Sequence, residues 1–174
     1  MEKNAEVRRA ASIAQTHEEI RQIINKPKNI YRIKVELIRM GFREIETQVS
    51  RTFEIEDKQT LYDLHMNIQY TFGWDNDHMF SFFLSENLFD RDNEYSGNPL
   101  GEHIVSSFGK PTKSAVEAQL RDLGLSAGSS LWYLFDYGDE LVHRITVEEI
   151  SEKTSNDTDL PRLISKIGNA PPQY

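Results

Sequence analysis

Two stretches in the first half of the chain alternate apolar and polar side chains in the pattern that is typical of strands. Residues 30–40 alternate most regularly, which predicts a strand that buries one face against a core. Gly41 follows as a turn residue, and a second alternating run covers residues 45–55. The inward positions of the two runs are Tyr31, Ile33, Val35, Leu37, Ile45, Thr47, Val49, Phe53 and Ile55. Together the runs predict a β-hairpin.

A helix is predicted from residue 61, where the spacing of apolar residues changes to three or four. Thr60 and Asp63 form a capping-box pattern at its start, and Gly73 stands where a glycine commonly ends a helix. The apolar face consists of Leu61, Leu64, Ile68 and Phe72. The run Met79–Ser85 then has apolar residues on both faces, which predicts a strand in the interior of a sheet.

The remaining segments have weaker patterns. Residues 2–25 have a thin apolar stripe at helical spacing and predict a peripheral helix, with a second capping pattern at Thr16 and Glu19. The other predicted segments are an irregular excursion (87–112), a short helix (114–123) and a surface or partly mobile tail (151–174).

These elements predict an α+β fold, with a mixed, largely antiparallel sheet of about five strands and helices packed on one face. A hairpin, one long helix and further strands are also the elements of a β-grasp-like arrangement. We expect a single core domain over residues 30–150. An N-terminal helical extension (1–29) precedes it and the tail (151–174) follows it.

Composition limits the cellular locations and the classes of partner that we expect for this chain. The 174 residues include no cysteine, which excludes disulfides and cysteine nucleophiles and favours a cytoplasmic protein. No apolar run is long enough to cross a bilayer, and the charged N-terminus is unlike a signal peptide, so we expect no membrane association. The formal net charge of −8 argues against broad binding to nucleic-acid phosphates.

An acidic turn between two aromatic-rich runs carries the main candidate chemistry. Residues 131–143 predict two strands that reverse at Gly138, which we expect to supply the positive φ of a two-residue turn. In that register one face contains Trp132, Leu134, Asp136, Leu141, His143 and Ile145, so Asp136 and His143 lie within reach of each other. Such a pair suits acid–base chemistry or metal binding, although a structural hydrogen bond is its more frequent role.

Further histidines and carboxylates extend this candidate site. The candidate catalytic residues of a metal-dependent hydrolase are His78, Asp136, Asp139 and His143. The candidate metal ligands are His65, His78, Asp136 and His143. Such ligands suit divalent metals, but no pair has the spacing that fixes two ligands on one helix. We therefore expect no cofactor, with a divalent metal as the alternative.

Numerous aromatic side chains near the same turn favour a binding role over catalysis. We expect a small interaction domain that contacts an unidentified protein or nucleic acid through the polar and aromatic end of this hairpin. The candidate binding residues are Trp74, Asp75, Tyr137 and Glu140. The same aromatic residues also suit a packed core, which is the commoner role of large strand residues.

Three stretches resemble a known family in their order and spacing. They are Leu61–His65 leading to Gly73–Asp75, then Asp77–Phe82, and finally Leu134–Asp139 followed by His143. In combination they are similar to the proteins named after the third open reading frame of an Ri-type plasmid, over about residues 30–150. Members of this family are sometimes described as transposon passengers that resemble a resolvase.

The resemblance implies no reaction, because the family has no established biochemical activity. Its resolvase description implies DNA association in mobile elements as a third candidate function. The chain shows neither a nucleophilic serine among arginines nor a basic DNA-reading helix. Leu141 and Val142 stand where members tend to have tryptophan, and Asn169–Tyr174 replaces a motif that contains cysteine and acids. The resemblance therefore assigns no ligand role to the tail.

Overall fold

Two helices and a large sheet make up the described part of the chain, residues 15–21 and 28–174, in a computed structural model. Helix α1 comprises residues 15–21, which are all exposed; the rest of the helix predicted over residues 2–25 lies outside the described residues. The other elements are β1 (Asn29–Met40), β2 (Arg43–Glu44), β3 (Ser50–Glu56), α2 (Leu61–Phe72), β4 (Phe80–Phe83), β5 (Glu94–Gly97), β6 (Ser106–Ser107), β7 (Lys110–Pro111), β8 (Lys113–Ser114), β9 (Ser130–Phe135), β10 (Leu141–Glu152) and β11 (Arg162–Ile167).

The main sheet of the described residues has nine strands in the order β11-β3-β1-β10-β9-β4-β5-β8, with β2 paired to the end of β1. Neighbouring strands are antiparallel except for β5 and β8. The α+β class is therefore confirmed, but the sheet is larger than predicted, and the β-grasp-like topology is not confirmed. The sheet is larger because β5, β8 and β11 lie in segments without strand periodicity and extend the sheet at both ends, and because the short strand β2 pairs with the end of β1.

Helix α2 follows the sequence prediction closely. The Thr60 hydroxyl accepts a hydrogen bond from the Asp63 amide at 3.2 Å, and the Asp63 carboxylate accepts one from the Thr60 amide at 2.8 Å. Gly73 ends the helix with a φ of 76°, which glycine adopts without steric cost. The predicted apolar face of α2 is buried, and it covers the face of the sheet that forms the main core.

The segment 114–123, which we predicted to be helical, instead caps the start of α2. The carbonyl oxygens of Ala115 and Ala118 accept hydrogen bonds from the Tyr62 and Leu61 amides at 3.0 and 2.9 Å. These carbonyls are therefore not available for a helix of their own. Only a single 3-10 turn remains, at Leu120–Asp122.

The opposite face of the sheet differs between its two halves. Near β9 and β4 a second apolar cluster contains Phe83, Leu134 and Val142. Near β10, β1, β3 and β11 an ion ladder crosses the strands, in the order Glu149, Arg32, Glu54, Arg162 and Asp157. Burial acts to raise the pKa of the Glu54 carboxyl, but hydrogen bonds from the two arginines outweigh it, so the pKa is lowered.

Two imidazoles are buried in the main core. Gln69 donates to the Tyr133 hydroxyl at 2.9 Å, this hydroxyl lies 2.7 Å from His65 Nδ1, and His65 Nε2 lies 2.8 Å from Asn76 Oδ1. Since Oδ1 only accepts, His65 carries its proton on Nε2 and the tyrosine donates to Nδ1. Burial lowers the pKa of His65 to about 4 and that of His143 to about 3.

We expect the free energy of unfolding to fall as the pH drops below 6.5, the ordinary pKa of histidine. Below that pH the unfolded chain protonates His65 and His143, whereas the folded chain keeps both neutral. Their contribution to the free energy of unfolding is therefore fully present above pH 6.5 and is lost on acidification. Each imidazole should account for about 2 kcal/mol between pH 7 and pH 5, measured by urea unfolding.

The substitution His143→Phe removes one of these titrations. It should therefore reduce the loss of unfolding free energy between pH 7 and pH 5 by about 2 kcal/mol. His17→Gln, in the exposed helix α1, is the matched control and should leave the loss unchanged. An equally large loss in the His143→Phe protein would contradict the prediction.

The ion ladder predicts that Glu54→Gln destabilises the protein by about 1–3 kcal/mol at pH 7, because a nearly buried carboxylate receives hydrogen bonds from two arginines. Glu149→Gln removes the exposed end of the same ladder and should cost less than about 0.5 kcal/mol. Thermal or urea unfolding measures both, and equal effects of the two substitutions would refute the distinction.

Candidate functional site

The loop between β9 and β10 has five residues and is organised around the Asp136 side chain. Phe135 pairs with Leu141, and the Glu140 amide donates to the Asp136 carbonyl at 2.8 Å. Asp136 Oδ1 also accepts from the amides of Gly138 and Asp139 at 2.9 and 3.2 Å. The positive φ values belong to Asp136 (58°) and Glu140 (47°). The predicted two-residue turn with a positive φ at Gly138 is therefore wrong.

This loop length also overturns the predicted strand faces. His143 pairs with Tyr133, so it shares a face with Leu131 and Phe135 rather than with Trp132 and Leu134. Its Nδ1 donates to the Leu141 carbonyl at 3.2 Å, and its buried Nε2 has no hydrogen-bond partner among residues 15–21 and 28–174. The predicted contact between Asp136 and His143 is not formed, because the five-residue loop directs the imidazole under α2.

Asp136 instead faces His78, in the segment between α2 and β4. His78 Nε2 lies 3.6 Å from Asp136 Oδ2, and His78 Nδ1 lies 2.7 Å from Asp77 Oδ1. The hydrogen bond to Asp77 raises the pKa of His78; burial opposes this effect, and the charges of Asp136, Asp77 and Asp139 add to it. The structure therefore brings three of the candidate residues together, His78, Asp136 and Asp139, and buries the other two, His65 and His143, in the core.

The end of the chain docks beside His78, which sequence reasoning missed. The Trp74 indole donates to the Pro171 carbonyl at 3.1 Å, and Gln173 donates to Asp77 Oδ1 at 2.8 Å. The Tyr174 hydroxyl donates to Asp77 and lies 3.2 Å from His78 Nδ1. The Asp77 carboxylate raises the pKa of Tyr174 to about 12. No pattern in residues 169–174 indicates this long-range contact.

The candidate binding residues have different roles in the structure. Trp74 is buried, and the Tyr137 hydroxyl is engaged by Ser81 at 2.6 Å, so both mainly support the fold. Glu140 forms an ion pair with Arg39 at 2.9 Å. Asp75 is exposed. Of the four residues, the two acids are therefore the more accessible to a partner.

Two exposed phenylalanines flank the β9–β10 loop. Phe42, at the turn between β1 and β2, is fully exposed, and Phe108, at the turn between β6 and β7, is 66% exposed. A shallow hollow of about 330 Å³ separates Phe42 from the loop and is lined by Met40, Gly41, Phe42, Gly138 and Asp139. Sequence reasoning overlooked both phenylalanines, because turn residues follow no apolar periodicity.

Carboxylates are the main charged groups of the β9–β10 loop and of the segment before β4. We use the name acidic rim for Phe42, Asp75, Asp77, His78, Asp136, Asp139 and Glu140. Arg39 pairs with Glu140 of the acidic rim, and Arg43 follows Phe42 in the chain. The acidic rim thus presents a negative surface next to a fully exposed aromatic ring, an arrangement suited to a cationic and partly apolar group.

Two further properties of the described residues bear on the alternatives. Within 15–21 and 28–174, no three His, Asp or Glu side chains are placed as the ligands of one metal ion. In the same part of the chain, no helix combines the length and hydropathy that crossing a bilayer requires.

Comparison with known proteins supplies relatives of uncharacterised function. The uncharacterized protein y4hQ of Sinorhizobium fredii is 29% identical over 146 residues, which are 83% of this chain and 66% of that protein. The chain thus spans slightly less than two thirds of this relative.

A solved structure has a similar fold. It is the crystal structure of MM3350, a protein of unknown function from Methanosarcina mazei Go1, with a TM-score of 0.62 and 19% identity over 81% of this chain and 71% of that one. At this identity the likeness concerns the fold alone.

The family described as "Plasmid pRiA4b ORF-3-like protein" matches residues 29–173, which include the core and the docked end of the chain. This match confirms the resemblance seen in the three sequence stretches. The chain therefore belongs to the family of plasmid pRiA4b ORF-3-like proteins.

Proposed function

We propose that the protein is a non-catalytic interaction module that binds a basic segment of a partner protein at the acidic rim. The observation that carries this proposal is the full exposure of Phe42 beside the hollow that it shares with Asp139. Exposing a phenylalanine ring to water is unfavourable in the free protein, and a partner that covers the ring removes this apolar surface from water. The surrounding carboxylates select a cationic partner.

The same charges favour a protein partner over a nucleic acid. Phosphate backbones require clustered lysines and arginines, whereas the acidic rim offers the exposed or half-exposed carboxylates of Asp75, Asp77, Asp139 and Glu140. This argument also counts against DNA association in mobile elements. The role needs no cofactor, and a cytoplasmic location remains part of the proposal, since the chain has no cysteine.

A metal-dependent hydrolase receives less support from the geometry. Of its candidate residues, His143 lies in the core with an imidazole that burial keeps neutral. His65 is likewise held by Tyr133 and Asn76. His78 and Asp136 do approach each other, with Asp139 beside them in the loop, but both are engaged in the contacts that shape the acidic rim.

Phe42→Ala should weaken binding of a basic peptide about tenfold, because an aromatic anchor is lost. The probe is a fluorescein-labelled peptide of alternating arginine and serine, and fluorescence anisotropy reports its affinity. Raising the salt concentration should weaken binding further, since exposed charges are screened.

Tyr70→Ala is the matched control, because Tyr70 is also a largely exposed aromatic residue (85%) on the outer side of α2. It should leave the affinity unchanged. The proposal fails if both substitutions weaken binding equally, or if a DNA or RNA oligonucleotide binds more tightly than the peptide.

Acidification should weaken the same binding about two- to threefold between pH 8 and pH 6, because protonated His78 adds a positive charge to the acidic rim. The pKa of His78 is raised, so its charge persists further toward neutral pH than that of an ordinary histidine. Anisotropy titrations at both pH values measure the effect. His78→Gln should abolish the dependence, and a persisting dependence would assign it to another group.

A further inference from the structure

An aromatic recess on the face of the sheet opposite α2 holds the guanidinium of Arg91. We use the name aromatic recess for Phe83, Phe89, Phe108 and Glu94. The three ring centroids lie 5.3, 5.2 and 4.4 Å from Arg91 Cζ, in that order. Three aromatic rings around one cation are typical of sites that bind guanidinium or quaternary ammonium groups.

The floor of the aromatic recess is a fully buried carboxylate. Glu94 Oε2 accepts a hydrogen bond from Arg91 Nη1 at 2.9 Å, and Oε1 accepts one from the Ser81 hydroxyl at 2.6 Å. The Glu94 side chain has no exposed area, whereas that of Arg91 is 19% exposed. A buried carboxylate is strongly destabilising without a cationic partner. The aromatic recess therefore requires a cation, which Arg91 supplies from the solvent side.

Two walls of the aromatic recess are held in a rarely populated backbone conformation. Phe89 has a φ of 63° and Phe108 a φ of 49°, values that are uncommon for bulky residues. Phe108 and Gly109 form the two-residue turn between β6 and β7, where asparagine or glycine is usual at the first position. The two-residue turn itself needs a positive φ at both central positions, and the Phe108 ring at the first of them contacts Arg91 and Tyr137.

The turn that carries Phe108 is also separate from the main sheet. Among the described residues, β6 pairs only with β7. One wall of the aromatic recess can therefore shift without breaking a ladder of the main sheet.

We propose that the aromatic recess is a binding site for an arginine side chain, which Arg91 fills from within the chain until an arginine of the partner replaces it. The source of that arginine rests on the proposed function. Tyr137 connects the two sites, because it belongs to the β9–β10 loop and its ring lies 5.5 Å from that of Phe108. Arginine is favoured over lysine, since a guanidinium both stacks on rings and pairs with a carboxylate.

Arg91→Ala removes the internal guanidinium and leaves Glu94 without a cation. Methylguanidinium should then bind saturably, with a dissociation constant in roughly the millimolar range. Changes in the phenylalanine ring resonances by NMR measure this binding. The wild-type protein should bind the probe at least about tenfold more weakly, because Arg91 competes for the site.

The double variant Arg91→Ala/Phe108→Ala should lose most of this affinity, whereas Arg91→Ala/Tyr70→Ala should retain it. Equal, unsaturable responses in all variants would overturn the proposal. If Arg91→Ala does not fold alone, circular dichroism follows its folding as methylguanidinium is added. Recovery of the folded signal that Arg91→Ala/Phe108→Ala does not show supports the site, and no recovery overturns it.

Peptide binding to the protein with Arg91 intact separates this inference from the proposed function. The arginine–serine peptide should bind more tightly than a lysine–serine peptide, and Phe108→Ala should remove this preference. The guanidinium site is overturned if peptide binding depends on Phe42 but is no tighter for the arginine peptide than for the lysine peptide. That result would still support binding at the acidic rim. If methylguanidinium binds to Arg91→Ala but neither peptide binds to the protein, the aromatic recess is supported as a guanidinium site and the basic partner protein is refuted.

Discussion

The pairing that sets His143 opposite Tyr133 is the constraint on which the rest of the structure depends. Side chains alternate across a strand, so a slip by one residue would move every side chain of β10 to the other face. The observed register buries the imidazole against Phe72 and Trp74. It also leaves five residues to connect the strands, and their amides converge on Asp136. One pairing thus defines both the core beneath α2 and the acidic rim beside it.

Buried carboxylates on the opposite face of the sheet are neutralised in two different ways. Glu54 lies between Arg32 and Arg162 in a ladder that spans neighbouring strands. Glu94 pairs with Arg91, whose guanidinium lies among phenylalanine rings. Ladder partners on rigid strands have little freedom to move. A cation held by turn residues is easier to exchange, as the proposed guanidinium site requires.

Local signals in the sequence were reliable where they act over a few residues. Thr60, Asp63 and Gly73 mark both ends of α2, because capping hydrogen bonds and a left-handed glycine are properties of neighbouring residues. The segment 114–123 has equally helical spacing, yet its carbonyls bind the start of α2. Gly138 was expected to form the turn, but Asp136 and Glu140 take the left-handed conformation, stabilised by the Asp136 side chain.

By itself the sequence determined the α+β class, helix α2, the strand β1 and the family resemblance, since periodicity and caps are local and short motifs are visible in the chain. It also placed His78, Asp136 and Asp139 among the candidates. Only the tertiary structure decided that His143 lies in the core, that the end of the chain docks on Asp77, and that exposed Phe42 adjoins the acidic loop. These outcomes depend on strand register and on contacts between distant segments, which no local pattern of side chains encodes.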